Sequence, residues 1–313
     1  MHAESCQTAQ QLCCNGRWPI SPQPAHKKNA MYLAHDAYAP DLDQQVEQAI
    51  RKTLTLHPKT KTYALIDAAL LPEWGAKLWG VSQSEPNGSL QALYQDTPLQ
   101  ELEECAPFIG LIGPSDLKGL FEHCSGTPFL SLICSKLDIS SLRKHLAQFS
   151  RVQTPDGLFH TTRLADTAVL PLLLRGMTAK QLATFAQGLD AWHIVGRDGL
   201  LQALSMPEKA QKAPVHGDEV RASSFTMSEQ AMATVVDATD ADRMLCALGE
   251  KYPSLVEQRP SAQWYQMAST IVHKMNKLMI EAEPERISAF RQAMASPSEE
   301  AALAVLQALA PST

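Results

Sequence analysis

The sequence predicts an α/β domain, a mixed sheet with flanking helices, followed by an all-helical lobe. Three observations predict it. Residues 62–205 interleave short apolar, β-rich runs with amphipathic stretches that carry helix caps, as in a sheet covered by helices. Two turns carry hairpin chemistry, Pro155-Asp156-Gly157 and Arg197-Asp198-Gly199. Beyond a polar, turn-rich stretch that opens at Met206, the apolar positions follow helical spacing alone. The chain therefore divides into an irregular arm over 1–40, an α/β domain over 41–205, a linker over 206–222 and a helical domain over 223–313.

Each element has its own signal. Asp41 opens a helix whose stripe is Leu42, Val46, Ala49, Ile50 and Leu54, with Glu47 four residues before Arg51. Residues 62–67 form a strand that leads to Pro72, suited to the first turn of a helix bearing Trp74, Leu78 and Trp79. After a strand over 90–94, Thr97, Pro98 and Gln100 stand as N-cap, N1 and N3 of a capping box. That helix ends by Pro107. Buried strands follow over 108–112 and 129–134, with a short helix between them. Asp138 caps a helix through Leu146. The first hairpin then spans 149–164, with proline presetting φ and Gly157 supplying a positive φ. Asp166 caps a helix through Leu174, and Thr178 with Gln181 forms another capping box, closed by Gly188. A second hairpin spans 191–204. In the helical domain, Thr226 to Glu229 and Ser296 to Glu299 read as caps, and Trp264, Ala268, Ile271, Met275, Leu278 and Ala282 share one stripe.

Composition narrows the function classes. The chain has 313 residues, 45% hydrophobic and 19% charged, with a formal net charge of −6. These are the values of a globular protein with no general attraction to nucleic acid. The longest apolar runs are too short for a membrane span, and the start carries no apolar signal segment, so the expected address is the cytoplasm. Seven cysteines, with no C-x-x-C pair, read as reduced structural thiols. Cys6, Cys13 and Cys14 with His26 lack the paired spacing of a zinc site.

No catalytic constellation emerges. The sequence has no G-x-S-x-G elbow, no phosphate-binding glycine loop and no pair of histidines at metal-binding spacing. His123-Cys124-Ser125-Gly126 has the outline of a cysteine-phosphatase loop, but Leu130 stands where the phosphate-gripping arginine is needed. His160 and His193 read as ordinary hydrogen-bonded histidines. Asp67, Asp96 and Asp166 each stand at a strand-to-helix junction. As paired carboxylates they define the alternative reading, a hydrolase. Capping explains Asp166, a turn explains Asp96, and an ion pair between Arg163 and Asp166 ties strand to helix. The reading expects no enzyme, no cofactor and no metal. The helical domain is methionine-rich, and Tyr265 and Met267, set off the Trp264 stripe, are the expected exposed grip for a partner.

The order of landmarks resembles a known family. Tyr63-Ala-Leu-Ile-Asp67, Tyr94 with Thr97-Pro98-Leu99, Ala106-Pro107, Pro155-Asp156-Gly157, Asp166 through Pro171 and Trp192 are similar to the effector adaptors, or effector chaperones, of bacterial type VI secretion. Two positions depart from the pattern: Leu164 replaces an aromatic before the Asp166 motif, and Asp96 replaces a glycine before Thr97. The resemblance implies a cytosolic protein that binds one toxic effector, stabilises it and helps load it onto the valine-glycine repeat spike or its tip protein. It implies no nucleic-acid partner. A groove between an α/β lobe and a helical lobe would shield the effector's apolar surface.

Overall fold

The run Tyr63-Ala-Leu-Ile-Asp67 lies in strand β1 (Lys61–Asp67), and six of its seven residues are buried. A strand reads as an unbroken apolar run when both faces of its sheet are covered. The computed structural model describes residues 18, 34–67, 69, 72–207 and 225–309. Most of the expected arm, including Cys6, Cys13, Cys14 and His26, and nearly all of the expected linker lie outside the described residues.

Strand β1 is flanked by β3 (Pro107–Leu111) and β4 (Leu130–Ser135). Strand β2 (Leu90–Ala92) extends the sheet beyond β3, and β7 (Leu189–Val195) and β8 (Leu201–Ala203) extend it beyond β4. The six strands run in the order β2-β3-β1-β4-β7-β8, and every pairing is antiparallel. Mixed pairing, expected for the main sheet, is found in a second one. There β5 (Arg151–Gln153) pairs antiparallel with β6 (Phe159–Thr161) and parallel with β9 (Phe225–Thr226). Apolar runs in β1 and β4 mimic parallel strands because both of their faces are buried, whatever their direction.

The helices of this lobe are α1 (Leu42–Leu56), α2 (Pro72–Ser84), α3 (Pro114–Cys124), α4 (Ile139–Ala147), α5 (Leu170–Gly176) and α6 (Ala179–Phe185). Asp138 caps α4 through the Ser141 N–H at 2.9 Å, and Thr178 with Gln181 forms the expected capping box on α6. Two expectations change. The segment after Thr97 is a 3₁₀ turn (Gln100–Cys105): the Thr97 hydroxyl accepts from the Leu99 N–H at 3.1 Å as a cap does, but the backbone bonds that follow, from Gln100 to Thr97 and from Leu102 to Leu99, span three residues. Asp166 accepts from the Ala168 and Val169 N–H groups as a cap does, but residues 167–169 form a turn and α5 begins at Leu170.

The helical lobe comprises α7 (Glu229–Lys251), α8 (Pro253–Val256), α9 (Ser261–Lys277), α10 (Glu283–Met294) and α11 (Glu299–Leu309). Ser228 caps α7, whereas Thr226 sits in β9, and at α11 it is Ser298 rather than Ser296 whose hydroxyl accepts the capping bond, from the Ala301 N–H. Helix α9 stops short of Ala282, and Met279 turns the chain with a left-handed φ of 54°. Two cores result. Tyr63, Phe108 and Trp192 belong to the first, and Trp264, Ile271, Met275 and Phe290 to the second. Helix α7 serves both: Met232 and Val235 lean on the α/β core, while Met244, Leu245 and Leu248 lie inside the helical one.

Candidate functional site

A cavity of about 550 Å³ opens where the β5–β6 hairpin and the 163–173 segment face α7. Its walls are mainly apolar. Val152, Val169 and Leu173 form one side, and Met232 and Val235 the other. On α7 the lining residues Met232, Val235, Thr239, Asp242 and Cys246 follow steps of three and four, so one helical seam runs the length of the groove.

Arg163 organises one end. Its guanidinium donates to the Asp67 carboxylate at 2.8 and 3.2 Å and pairs with Asp166 at 3.2 Å. The carboxylates are 4% and 6% exposed, so a single cation joins the end of β1 to the turn before α5. Burial pushes the Asp166 carboxyl above its usual range, and Arg163 pulls against that shift. Two of the three junction acids therefore meet. Asp96 does not join them: it pairs with Arg143 at 3.0 Å, next to Thr97 and Pro98, in a separate place. Its φ of 59° lies in the left-handed region, which accounts for the glycine expected there in similar sequences.

A second clamp holds Asp242, a groove-lining residue that also feels the charge of Arg163. Arg197, in the β7–β8 turn, donates to Asp242 of α7 at 2.8 and 2.6 Å and lies 3.4 Å over the Tyr265 ring of α9. The Asp36 N–H donates to the Arg197 carbonyl at 2.8 Å, and the Asp36 carboxylate accepts the Ser261 N–H at 2.6 Å, at the start of α9. Gly199 lets this segment approach: a Cβ there would stand 2.2 Å from the Ala37 carbonyl oxygen.

The expected exposed grip changes accordingly. Met267 is 4% exposed and belongs to the helical core, because a residue three positions after Trp264 shares its face. Tyr265 is half-buried beneath Arg197. The remaining motif residues are structural in placement. Asp156 accepts the Leu158 N–H at 3.3 Å, Gly157 has a φ of 82°, and Trp192 is fully buried on Phe185. Cys124 is fully buried as well, and burial alone pushes its thiol far above the ordinary value, so the His123-Cys124 loop carries no thiolate. Among the described residues, no cluster of His, Cys, Asp or Glu is placed to hold a metal, and no helix is long and apolar enough to cross a membrane.

The architecture is thus an α/β domain clamped to a helical lobe over an apolar groove. Residues 62–184 match the family model described as "Domain of unknown function (DUF4123)", and a domain of that kind is found there. The match begins with the β1 landmark and stops before Trp192. No curated protein and no solved structure matches the chain.

Proposed function

We propose that this protein is a cytosolic adaptor that binds a type VI secretion effector, stabilises it and helps load it onto the spike or its tip protein. The observation that carries the reading is the apolar groove between the two lobes. Most of the charged groups that line it are already engaged, Arg163 with Asp67 and Asp166, Asp242 with Arg197, and Arg243 with Asp240 and Glu283. A small-molecule site keeps a few convergent polar groups to orient its ligand, whereas a surface that shields a polypeptide needs apolar area above all. The domain match over 62–184 supports the reading by covering all but the last, Trp192, of the landmarks that resemble effector adaptors. The hydrolase alternative gains nothing from the arrangement, since Asp96 stands apart and Arg163 occupies the space between Asp67 and Asp166.

The test is co-purification of the full chain with whichever toxin or spike protein its neighbouring genes encode. Thr239 lies on the groove seam and is exposed, so Thr239→Arg fills the groove without disturbing either core. Capture of the toxin is expected to fall at least about tenfold, a loss of about 1.4 kcal/mol or more. Stability should change by no more than about 0.5 kcal/mol, as for other surface substitutions. Failure of the wild-type chain to retain the neighbouring toxin overturns the adaptor reading. Unimpaired capture by Thr239→Arg moves the contact away from the groove.

A further inference from the structure

Strand β6 is the outer edge of the small sheet, and a cavity lies against each of its faces. Directly opposed residues of an antiparallel pair share a face, so Arg151, Gln153, Phe159 and Thr161 lie on one side and Val152 and His160 on the other. Val152 and His160 line the interlobe groove, which Thr161 also reaches at the end of the strand. Arg151 and Phe159 line a second cavity, of about 490 Å³, against α4 and the Thr97-Pro98 turn.

The hydrogen-bond phase of the hairpin fixes which backbone groups are open. The Thr154 N–H donates to the Leu158 carbonyl at 2.9 Å, and the Thr162 N–H to the Ser150 carbonyl at 2.8 Å. Bonded pairs alternate along an antiparallel ladder, so His160 turns its N–H and C=O toward Val152. Phe159 and Thr161 turn theirs outward, and among the described residues no further strand pairs with them. Edge strands are usually guarded by a lysine, a proline or a bulge. This one is Phe-His-Thr and exposed throughout, with Leu158 59% and Phe159 50% exposed beside it.

We propose that β6 is a docking edge to which an extended partner segment adds as a further strand, its apolar side chains entering the interlobe groove and its acidic ones the second cavity. Backbone pairing would supply affinity and the two cavities side-chain selectivity. Charge selects the acidic face. Arg143 is already paired with Asp96, whereas Lys144 and Arg151 have no carboxylate partner among the described residues. Arg151 also stacks over Phe159 at 4.4 Å, which holds its charge beside the edge. The proposal takes the partner's identity from the adaptor reading above and its geometry from the hairpin alone.

The test measures fluorescence anisotropy of a labelled peptide of alternating Glu and Leu, and of its Lys/Leu counterpart, with the full chain. Thr161→Pro removes one outward N–H, which an edge strand tolerates, while Thr161→Ala keeps it. Arg151→Glu reverses the charge without touching the backbone. The Glu/Leu peptide is expected to bind wild type and Thr161→Ala alike. It should bind Thr161→Pro and Arg151→Glu at least about tenfold more weakly, and the Lys/Leu peptide should not compete. Absence of binding to wild type, binding to Thr161→Pro or Arg151→Glu as tight as to wild type, or equal binding of the two peptides overturns the proposal. Peptide binding as expected, together with a neighbouring toxin that does not co-purify, sinks the adaptor reading and leaves the edge standing.

Discussion

Replacing Trp192 with alanine is expected to lower the unfolding free energy by about 3–5 kcal/mol, the range for deleting a fully buried large aromatic. Trp192 has no exposed surface and stacks on Phe185, with ring centroids 5.4 Å apart and planes 21° from parallel. Phe185 in turn meets Phe149 edge-on at 5.0 Å, so the indole anchors a row of rings between β7 and α6. A cavity at that point loses contacts on both sides. Trp192→Phe should behave differently. The indole N–H finds no acceptor among the described residues, and an unmet buried donor itself costs about 1–3 kcal/mol. Removing it offsets much of the lost volume, so the phenylalanine variant should stay within about 1.5 kcal/mol of wild type. Urea denaturation of the three proteins, followed by far-ultraviolet circular dichroism, measures both values. Equal losses for alanine and phenylalanine would mean that packing of the six-membered ring contributes little.

The fold was legible where a local rule and the tertiary structure asked for the same thing. Asp138, Thr178 with Gln181, and Gly157 are caps and a turn whose chemistry acts within a few residues, and all formed as their sequence predicts. Strand direction was not legible. The apolar runs of β1 and β4 record burial on both faces, and burial says nothing about which way a neighbour runs. Thr97 and Asp166 mark the limit of cap signals: each does bind backbone N–H groups, yet one closes a 3₁₀ turn and the other a turn ahead of the helix. The pairing of β9 with β5 joins residues more than seventy positions apart, which no window of local pattern reaches.

The candidate site was less legible than the fold, for a related reason. A pair such as Arg163 with Asp166 stands at i, i+3 and is visible in the chain, and it formed. Its third member, Asp67, arrives from a distant strand. Arg197 looked like part of a hairpin turn, and nothing near it announces Asp242 or Tyr265. Met267 falls off a stripe that leaves Trp264 by a step of four and then alternates three and four, yet the first step of three is equally valid and leads to Met267. The seam from Met232 to Cys246 does carry a readable signal in its spacing. Its polar members, Thr239 and Asp242, hide it from any search for apolar residues alone.

Arginine 163 makes the second large prediction, and here pH separates charge from packing. Breaking a buried ion pair by removing one partner costs about 3–5 kcal/mol. The Arg163 side chain is 43% exposed, so water can reach part of the site, and Arg163→Ala is expected to cost about 2–3 kcal/mol at pH 7. Asp166 has a folded-state pKa raised first by burial, with Arg163 as the leading opposing influence. A raised carboxyl means that the native state holds a proton more tightly than the unfolded chain. Its contribution to stability is therefore complete below the ordinary carboxylate range and is lost as pH rises through the raised value. Without Arg163 the value climbs further, and more of that loss falls on the variant at neutral pH. The deficit of Arg163→Ala should accordingly be larger at pH 7 than at pH 5, which lies nearer the range in which a raised carboxyl takes up its proton. Urea midpoints for wild type and variant at the two pH values measure this. The double variant Arg163→Ala with Asp166→Asn should recover part of the pH 7 loss, since it removes the stranded charge along with its partner. A deficit that is the same at both pH values, with no recovery in the double variant, would assign Arg163 to packing of the groove wall rather than to neutralising the acids behind it.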